Sequence, residues 1–141
     1  AAEIAQDVPD EPLVFFKPVS SIIGPEDAIQ LPHQSDQVEL EIELAIVIGK
    51  QAKNVTVDQA LDHVFGYTIG NDITARDLQF SDLQWARSKA FDTFCPLGPC
   101  LVTPDEIPDP QVLFMAVGDA TKANATIDTS NGPVKVRVTP N

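Results

Sequence analysis

Hydrophobic and charged residues alternate along residues 38–50, which read VELEIELAIVIGK. Successive side chains of a β-strand point to opposite faces, so most of the aliphatic residues fall on one face and Glu39, Glu41 and Glu43 fall on the other. Side chains two residues apart lie roughly 6.6 Å apart on one face, so the three carboxylates repel one another. The pattern predicts one strand over residues 38–50, with an acidic face that needs a positively charged partner.

Three other apolar segments, residues 11–18, 112–117 and 134–138, predict further strands. Each is short and rich in β-branched or aromatic residues, which favours strands. Strands do not alternate regularly with helices along the chain, so a βαβ architecture is not indicated. The pattern predicts an α+β chain that is mainly β. Glycine-rich phosphate-binding motifs do not occur, so nucleotide binding has no support.

A helix is predicted over residues 56–66, where apolar residues recur at helical spacing. Thr56 with Gln59 three residues later forms a capping-box pattern at its start, and Gly66 is suited to close it. The apolar face of this helix would carry Val57, Ala60, Leu61, Val64 and Phe65. A shorter helical turn is expected around Trp85.

Composition limits the classes of function. The 141 residues carry a formal charge of −12, from 21 acidic and 9 basic side chains, which argues against a nucleic-acid or anionic membrane surface. A signal peptide and a transmembrane run are not recognisable, so a cytoplasmic protein is expected. Cys95 and Cys100 lack the spacing and the second pair of a zinc site, and we expect two reduced thiols.

Glu41, Glu43 and Asp72 are candidate metal ligands. The two glutamates share a strand face, and Asp72 ends an apolar segment beyond the predicted helix, which is long enough to return the chain beside the strand. Three converging carboxylates would suit Mg²⁺ or Mn²⁺, which prefer oxygen ligands. The alternative is a solvated strand face paired with Lys or Arg, and the spacing by itself favours this alternative.

Five stretches, EPLVFFKP, ELEIELAIVIGK, GYTIGNDITARDLQ, SKAFDTFCPLGP and IPDP, occur in the order in which they occur in the fumarylacetoacetate hydrolase family. The chain resembles this family over roughly residues 3–112. The resemblance implies a rolled mixed β-sheet structure, a homodimer, and Mg²⁺ or Mn²⁺ held by Glu41, Glu43 and Asp72. With the resemblance, a metal site is favoured over the solvated strand face that the spacing alone favoured.

The resemblance also implies roles for other residues. Arg76 and Gln79 of the TARDLQ motif would contact the substrate, and Lys89 would bind it or stabilise a developing oxyanion. Glu3 corresponds to the glutamate of a His-x-x-Glu pair that activates water on a segment that closes over the site. The histidine of that pair would precede Ala1.

The C-terminal part departs from the family, because the expected TGTP segment is missing from the sequence. We therefore expect residues 1–141 to form a single catalytic domain whose lid and C-terminal strands are incomplete. The rolled sheet would then also be incomplete at its C-terminal end.

The function implied is metal-dependent hydrolysis of a C–C bond in a small acylpyruvate-type diketo acid. Two alternatives use the same centre, namely decarboxylation of a 2-oxo acid such as oxaloacetate and isomerisation of a 2-hydroxyhepta-2,4-diene-1,7-dioate in aromatic-acid catabolism. A non-catalytic module that binds a metal or a small acid is a further alternative. The expected partners are the small acid and a second copy of the chain, without nucleic acid or membrane.

Overall fold

The computed structural model describes residues 11–107, 125–129 and 132–136. The strands in this part are β1 (Ile22–Ile23), β2 (Val38–Glu39), β3 (Ile42–Ile48), β4 (Val64–Asn71), β5 (Thr74–Ala75), β6 (Cys95–Val102), β7 (Ala125–Thr129) and β8 (Gly132–Val136). Two short α-helices, α1 (Arg76–Ser81) and α2 (Ala86–Lys89), lie between β5 and β6, and 3₁₀ helices span Val19–Ser21, Val57–His63 and Pro104–Glu106. The predicted α+β, mainly β fold class is confirmed.

The largest sheet among the described residues is mixed, with strand order β1-β6-β4-β3. Strand β1 runs parallel to β6, whereas β4 runs antiparallel to both β6 and β3. Strands β2 and β5 form a separate antiparallel pair, as do β7 and β8. Within the described part, none of the helices combines the length and the apolar character that a membrane span needs.

The register of β3 against β4 places the acidic residues side by side. Ile42 pairs with Asn71, so Glu41 just before β3 lies next to Asp72 just after β4. The Asp72 N–H donates a hydrogen bond of 2.8 Å to the Glu41 carbonyl. Glu43 follows Ile42 in β3, two positions after Glu41, and lies opposite Gly70.

The prediction of one continuous strand over residues 38–50 is wrong, because two separate strands, β2 and β3, form there. The chain leaves one sheet and enters another at residues 40–41, because β2 pairs with β5 while β3 pairs with β4. The alternation of side chains describes each piece correctly, but only the pairing partner decides where a strand ends. The interruption separates Glu39 from Glu43.

The helix predicted over residues 56–66 is also wrong. A 3₁₀ helix spans Val57–His63, none of its residues is buried, and the Thr56 hydroxyl bonds to the Gln59 side chain instead of capping a backbone N–H. Gly66 lies inside β4 and does not close the helix, because β6 passes so close that a Cβ there would lie 2.6 Å from a backbone oxygen. The turn expected near Trp85 is confirmed as α2.

The remaining strand predictions have mixed outcomes. Residues 11–18 do not form a strand, and the prolines at both ends of the segment remove two of the N–H donors that a ladder would need. Strand β8 overlaps the predicted strand 134–138, and both cysteines are free thiols as expected. The predicted strand 112–117 lies outside the described residues.

The small hydrophobic core lies directly beneath the acidic residues. Ile73, Ala75 and Phe94 are fully buried. Ile73 follows Asp72 in sequence, and its N–H donates to the Phe94 carbonyl at 3.2 Å. The core therefore anchors the backbone that carries Asp72, and four partly buried residues complete it: Ile29, Val38, Leu78 and Phe91.

Candidate metal centre

Three carboxylates converge where β3 begins and β4 ends. One oxygen each of Glu41, Glu43 and Asp72 can be chosen so that all three lie within 4.8 Å of one another. Asp72 is buried, Glu41 is half-buried and Glu43 is exposed. The structure thus brings together the three residues that the sequence singled out as ligands.

Hydrogen bonds fix the backbone around two of these carboxylates. The Asn71 side chain accepts the Glu41 N–H at 3.1 Å, and the Thr74 hydroxyl donates to the Asp72 carbonyl at 3.0 Å. These bonds hold the carrier segments at the junction between the two sheets. The positions of Glu41 and Asp72 therefore follow from the backbone, and not from their side chains alone.

Lys89 bridges two of the carboxylates from α2. Its Nζ donates to Glu41 Oε2 at 2.8 Å and to Asp72 Oδ2 at 2.5 Å. The same Nζ lies 5.2 Å from the centre of the Phe15 ring, within range of a cation–π interaction. Lys89 is buried, so these partners take the place of water around its ammonium group.

Lys17 is a second cation at the centre, and the sequence analysis did not single it out. Its Nζ donates to Asp72 Oδ1 and, at 3.3 Å, to the Ile73 carbonyl. Phe15 and Lys17 are the two partly buried residues of residues 11–18, with exposed residues on either side of each. This alternation, with a lone cation on the inner face of an apolar stretch in an acidic chain, was the signal that could have identified Lys17.

Arg76 begins α1 and is the third cation that contacts the centre. Its Nε donates to Glu39 Oε2 at 2.8 Å, and its Nη2 lies 2.7 Å from Glu41 Oε1. Its Nη1 donates to Gln79 Oε1 at 2.6 Å, one helical turn further along α1. Arg76 and Gln79 are both buried, so the two predicted substrate contacts belong to the same network as the carboxylates.

The surroundings shift two of the carboxyl groups in opposite directions. Burial alone would raise the pKa of Glu41, but the hydrogen bond and charge of Lys89, followed by those of Arg76, outweigh it, and the pKa is lowered. For Glu43, loss of hydration and then the charges of Asp72 and Glu41 raise the pKa. Glu43 makes no side-chain hydrogen bond or ion pair within the described residues.

The donor set fits a hard divalent cation. An Mg–O distance of about 2.0–2.1 Å places neighbouring ligand oxygens roughly 2.9 Å apart and opposite ones roughly 4.1 Å apart. The chosen carboxylate oxygens here lie within 4.8 Å of one another, an upper limit somewhat wider than that spacing, so the side chains would move closer together to hold one ion. Among the described residues, no ion pair engages the Glu43 carboxylate, whereas Glu41 and Asp72 are both paired with cations.

One predicted site residue, Glu3, lies outside the described residues. The other six all lie in one connected network of hydrogen bonds and short carboxylate contacts: Glu41, Glu43, Asp72, Arg76, Gln79 and Lys89.

Comparison with known proteins finds a matching family and several similar proteins. Residues 1–138 match a family model described as fumarylacetoacetate (FAA) hydrolase C-terminal. A curated relative, oxaloacetate tautomerase fahd2, mitochondrial, of Xenopus laevis, is 54% identical over 75% of this chain and 34% of its own length. The chain therefore spans about a third of that relative.

Two solved structures resemble the chain in both fold and sequence. A 2-hydroxyhepta-2,4-diene-1,7-dioate isomerase from Mycobacterium marinum has a TM-score of 0.65 and 54% identity, covering 67% of this chain and 38% of that one. A fumarylacetoacetate hydrolase from psychrophilic Exiguobacterium antarcticum has a TM-score of 0.66 and 48% identity, covering 71% of this chain and 36% of that one.

Proposed function

Because the chain belongs to the fumarylacetoacetate hydrolase family, we propose that it carries a divalent-metal centre that interconverts the keto and enol forms of a small 2-oxo acid. Oxaloacetate is the first candidate substrate. The observation that supports this proposal most directly is the convergence of Glu41, Glu43 and Asp72 within 4.8 Å. The names of the relatives, which include a tautomerase and an isomerase, support the class of reaction.

Glu41, Glu43 and Asp72 would hold the ion, with Mg²⁺ or Mn²⁺ as the candidates. The ion, when bound, would act as a Lewis acid toward the oxygen atoms of the substrate. Tautomerisation moves a proton from the substrate's C3 to its O2, and negative charge develops on O2 during the transfer. The ammonium groups of Lys17 and Lys89 lie beside the carboxylates and would stabilise that charge.

The charge balance of the centre favours an anionic substrate. Within the described part, four carboxylates face three cations, which leaves one negative charge if all of them are ionised. A bound divalent cation would reverse the sign of this balance and attract an anion into an otherwise acidic protein. The carboxylate of a 2-oxo acid meets this requirement.

Gln79 would help to orient the substrate. Its side-chain oxygen is occupied by Arg76, which fixes the amide and leaves the nitrogen as the donor. Fixing the amide in this way determines where the nitrogen points. We assign this nitrogen to a substrate oxygen, so that Gln79 binds and Arg76 orients it.

Cleavage of a C–C bond in an acylpyruvate and decarboxylation of oxaloacetate remain predictions for the same centre. One of the similar structures is a fumarylacetoacetate hydrolase, which supports the hydrolase alternative. Hydrolysis requires an activated water, and Glu3, the candidate for that role, lies outside the described residues. Tautomerisation requires no nucleophilic water, so it does not depend on Glu3.

The test uses the full-length protein with oxaloacetate and Mg²⁺ or Mn²⁺. The enol is followed by ultraviolet absorbance, while pyruvate, CO₂ and acylpyruvate cleavage are assayed in parallel. Loss of a residue that only contacts a metal ligand already costs about 10–100-fold in activity or metal affinity. Asp72→Asn changes a proposed ligand itself, so it should lower kcat/KM by more than about 100-fold. The matched control is Asp62→Asn, a change in an exposed aspartate of the 3₁₀ helix.

Three outcomes distinguish the proposed tautomerisation from its alternatives. Tautomerisation that is lost with a chelator and with Asp72→Asn supports the proposal. Turnover of acylpyruvates or release of CO₂ without tautomerisation would replace it with the corresponding alternative. Equal activity of Asp72→Asn and Asp62→Asn would exclude this centre as the site of reaction.

A further inference from the structure

Glu39 lies beside the carboxylate centre and is not one of the three converging ligands. Its two oxygens have different partners, since Oε2 accepts from Arg76 Nε at 2.8 Å and Oε1 accepts from Gln37 Nε2 at 2.6 Å. The side chain is 42% exposed. An isolated ion pair at this exposure contributes only about 0–1 kcal/mol, so stability alone gives Glu39 little importance.

The backbone reinforces the contact between Glu39 and Arg76. Glu39 pairs with Thr74 across β2 and β5, and the Arg76 N–H donates to the Gln37 carbonyl at 2.7 Å. The two side chains are thus held by strands already in register. Their ion pair therefore requires less side-chain ordering than a pair between two mobile surface residues.

Arg76 uses each of its three nitrogens on a different residue. Nε contacts Glu39, Nη2 contacts Glu41 and Nη1 contacts Gln79. A guanidinium is planar and rigid, so an acceptor on the Nε edge determines where both Nη atoms point. Glu39 is the acceptor on that edge.

We propose that Glu39 is a positioning residue that acts through Arg76. It holds the guanidinium plane so that Nη2 orients Glu41 and Nη1 orients Gln79. It also offsets the charge of Arg76, which otherwise competes with a metal ion for Glu41 Oε1. This proposal rests on the proposed function, because it assigns Glu41 to the metal and Gln79 to the substrate.

The test measures Mn²⁺ affinity of the full-length protein by calorimetry, without substrate, together with urea unfolding and turnover. Glu39→Gln should weaken Mn²⁺ binding about tenfold, the lower end of the range for residues that orient a metal ligand. Glu39→Asp should bind Mn²⁺ more tightly than Glu39→Gln does, because it keeps the charge. The matched control is Glu26→Gln, a change in an exposed glutamate of the turn after Gly24.

A double-substitution cycle identifies the route of the effect. In an Arg76→Lys background, which lacks the planar fork, Glu39→Gln should change Mn²⁺ affinity by less than about twofold. A full tenfold loss in that background would overturn the proposal. So would a Glu39→Gln protein that binds Mn²⁺ as tightly as Glu26→Gln does.

The same experiment separates this inference from the proposed function. Weakened Mn²⁺ binding in Glu39→Gln without turnover of any 2-oxo acid by the unsubstituted protein would support the positioning role and reject the reaction. Failure of the unsubstituted protein to bind Mn²⁺ would overturn both. If Glu39→Gln lowers the unfolding free energy but leaves Mn²⁺ affinity unchanged, the ion pair is purely structural.

Discussion

The charged centre and the 3₁₀ helix Val57–His63 show opposite relations between polarity and burial. Lys89 is 2% exposed and Asp72 is 5% exposed, whereas Val57 is 94% exposed and Leu61 is 63% exposed. Lys89, Asp72 and Arg76 are far more deeply buried than the two aliphatic residues of this helix. Hydropathy alone therefore does not locate the interior of this molecule.

The physical reason lies in how the charges are paired. A buried charge is tolerated when opposite charges and hydrogen bonds replace its hydration. Lys89 has two carboxylate partners and Arg76 has three oxygen partners, so both meet this condition. The apolar residues of the 3₁₀ helix have no comparable surface to pack against within the described residues.

The largest effect is expected from Lys89→Met, which keeps the length of the side chain and removes its charge. Breaking a buried ion pair costs about 3–5 kcal/mol, and we expect about 3 kcal/mol because Lys17 and Arg76 still contact the two carboxylates. Urea unfolding measures this loss, with Lys50→Met at an exposed position as the control. Equal unfolding free energies for the two variants would contradict the view that paired charges form the interior.

Lys17→Met should have a smaller effect of about 2 kcal/mol, in the range of a hydrogen bond to a charged group. Asp72 loses one cation but keeps Lys89, and the Lys17 side chain is already 14% exposed. The control is Lys53→Met, at a second exposed lysine. A loss larger than that of Lys89→Met in the same urea experiment would mean that Lys17 is the main cation of the centre.

These two lysines also show how far the sequence could predict the centre. The ligand candidates and Lys89 were identified because strand alternation and family motifs both depend on local spacing. Lys17 was missed because the resemblance gave it no role, and the alternation that places it on an inner face does not name its partner Asp72, 55 positions away. Local patterns carry no information on which distant carboxylate a lysine reaches.

The fold, like the centre, could be predicted only where the local sequence pattern was sufficient. Alternation over residues 38–50 gave the correct extended conformation, but the break between β2 and β3 depends on β4 and β5, which come later in the chain. The apolar periodicity of residues 56–66 gave a helical segment of the wrong type. Periodicity produces a stable α-helix only when its apolar face finds a surface, and no residue of Val57–His63 is buried.

A still smaller effect is expected from Asp77→Asn, which changes a charge at the start of α1 outside the buried centre. The Ser35 hydroxyl first, and then the Asp36 N–H, lower the pKa of Asp77 below its ordinary value of 3.8. The ionised carboxylate therefore contributes stability above pH 3.8, and this contribution is lost as the pH falls through the folded-state pKa.

Urea midpoints at several pH values test this expectation. Asp77→Asn should lower the midpoint slightly at neutral pH and match the unsubstituted protein well below pH 3.8. The control is Asp36→Asn, a change in an exposed neighbour whose backbone contacts Asp77. A difference that persists at low pH would assign the effect to lost packing and not to charge.

The smallest effect is expected from Val57→Ser, which tests the apolar side of the comparison. A helical face packed against a core would lose about 1.5–3 kcal/mol per apolar side chain, whereas an exposed position changes stability by less than about 0.5 kcal/mol. Val57 is 94% exposed, so the second figure applies. The control is Ile73→Ser in the buried core, which should be strongly destabilising. A loss above about 2 kcal/mol for Val57→Ser in the full-length protein would show that this surface is covered in the molecule, since exposed apolar groups do not contribute at that level.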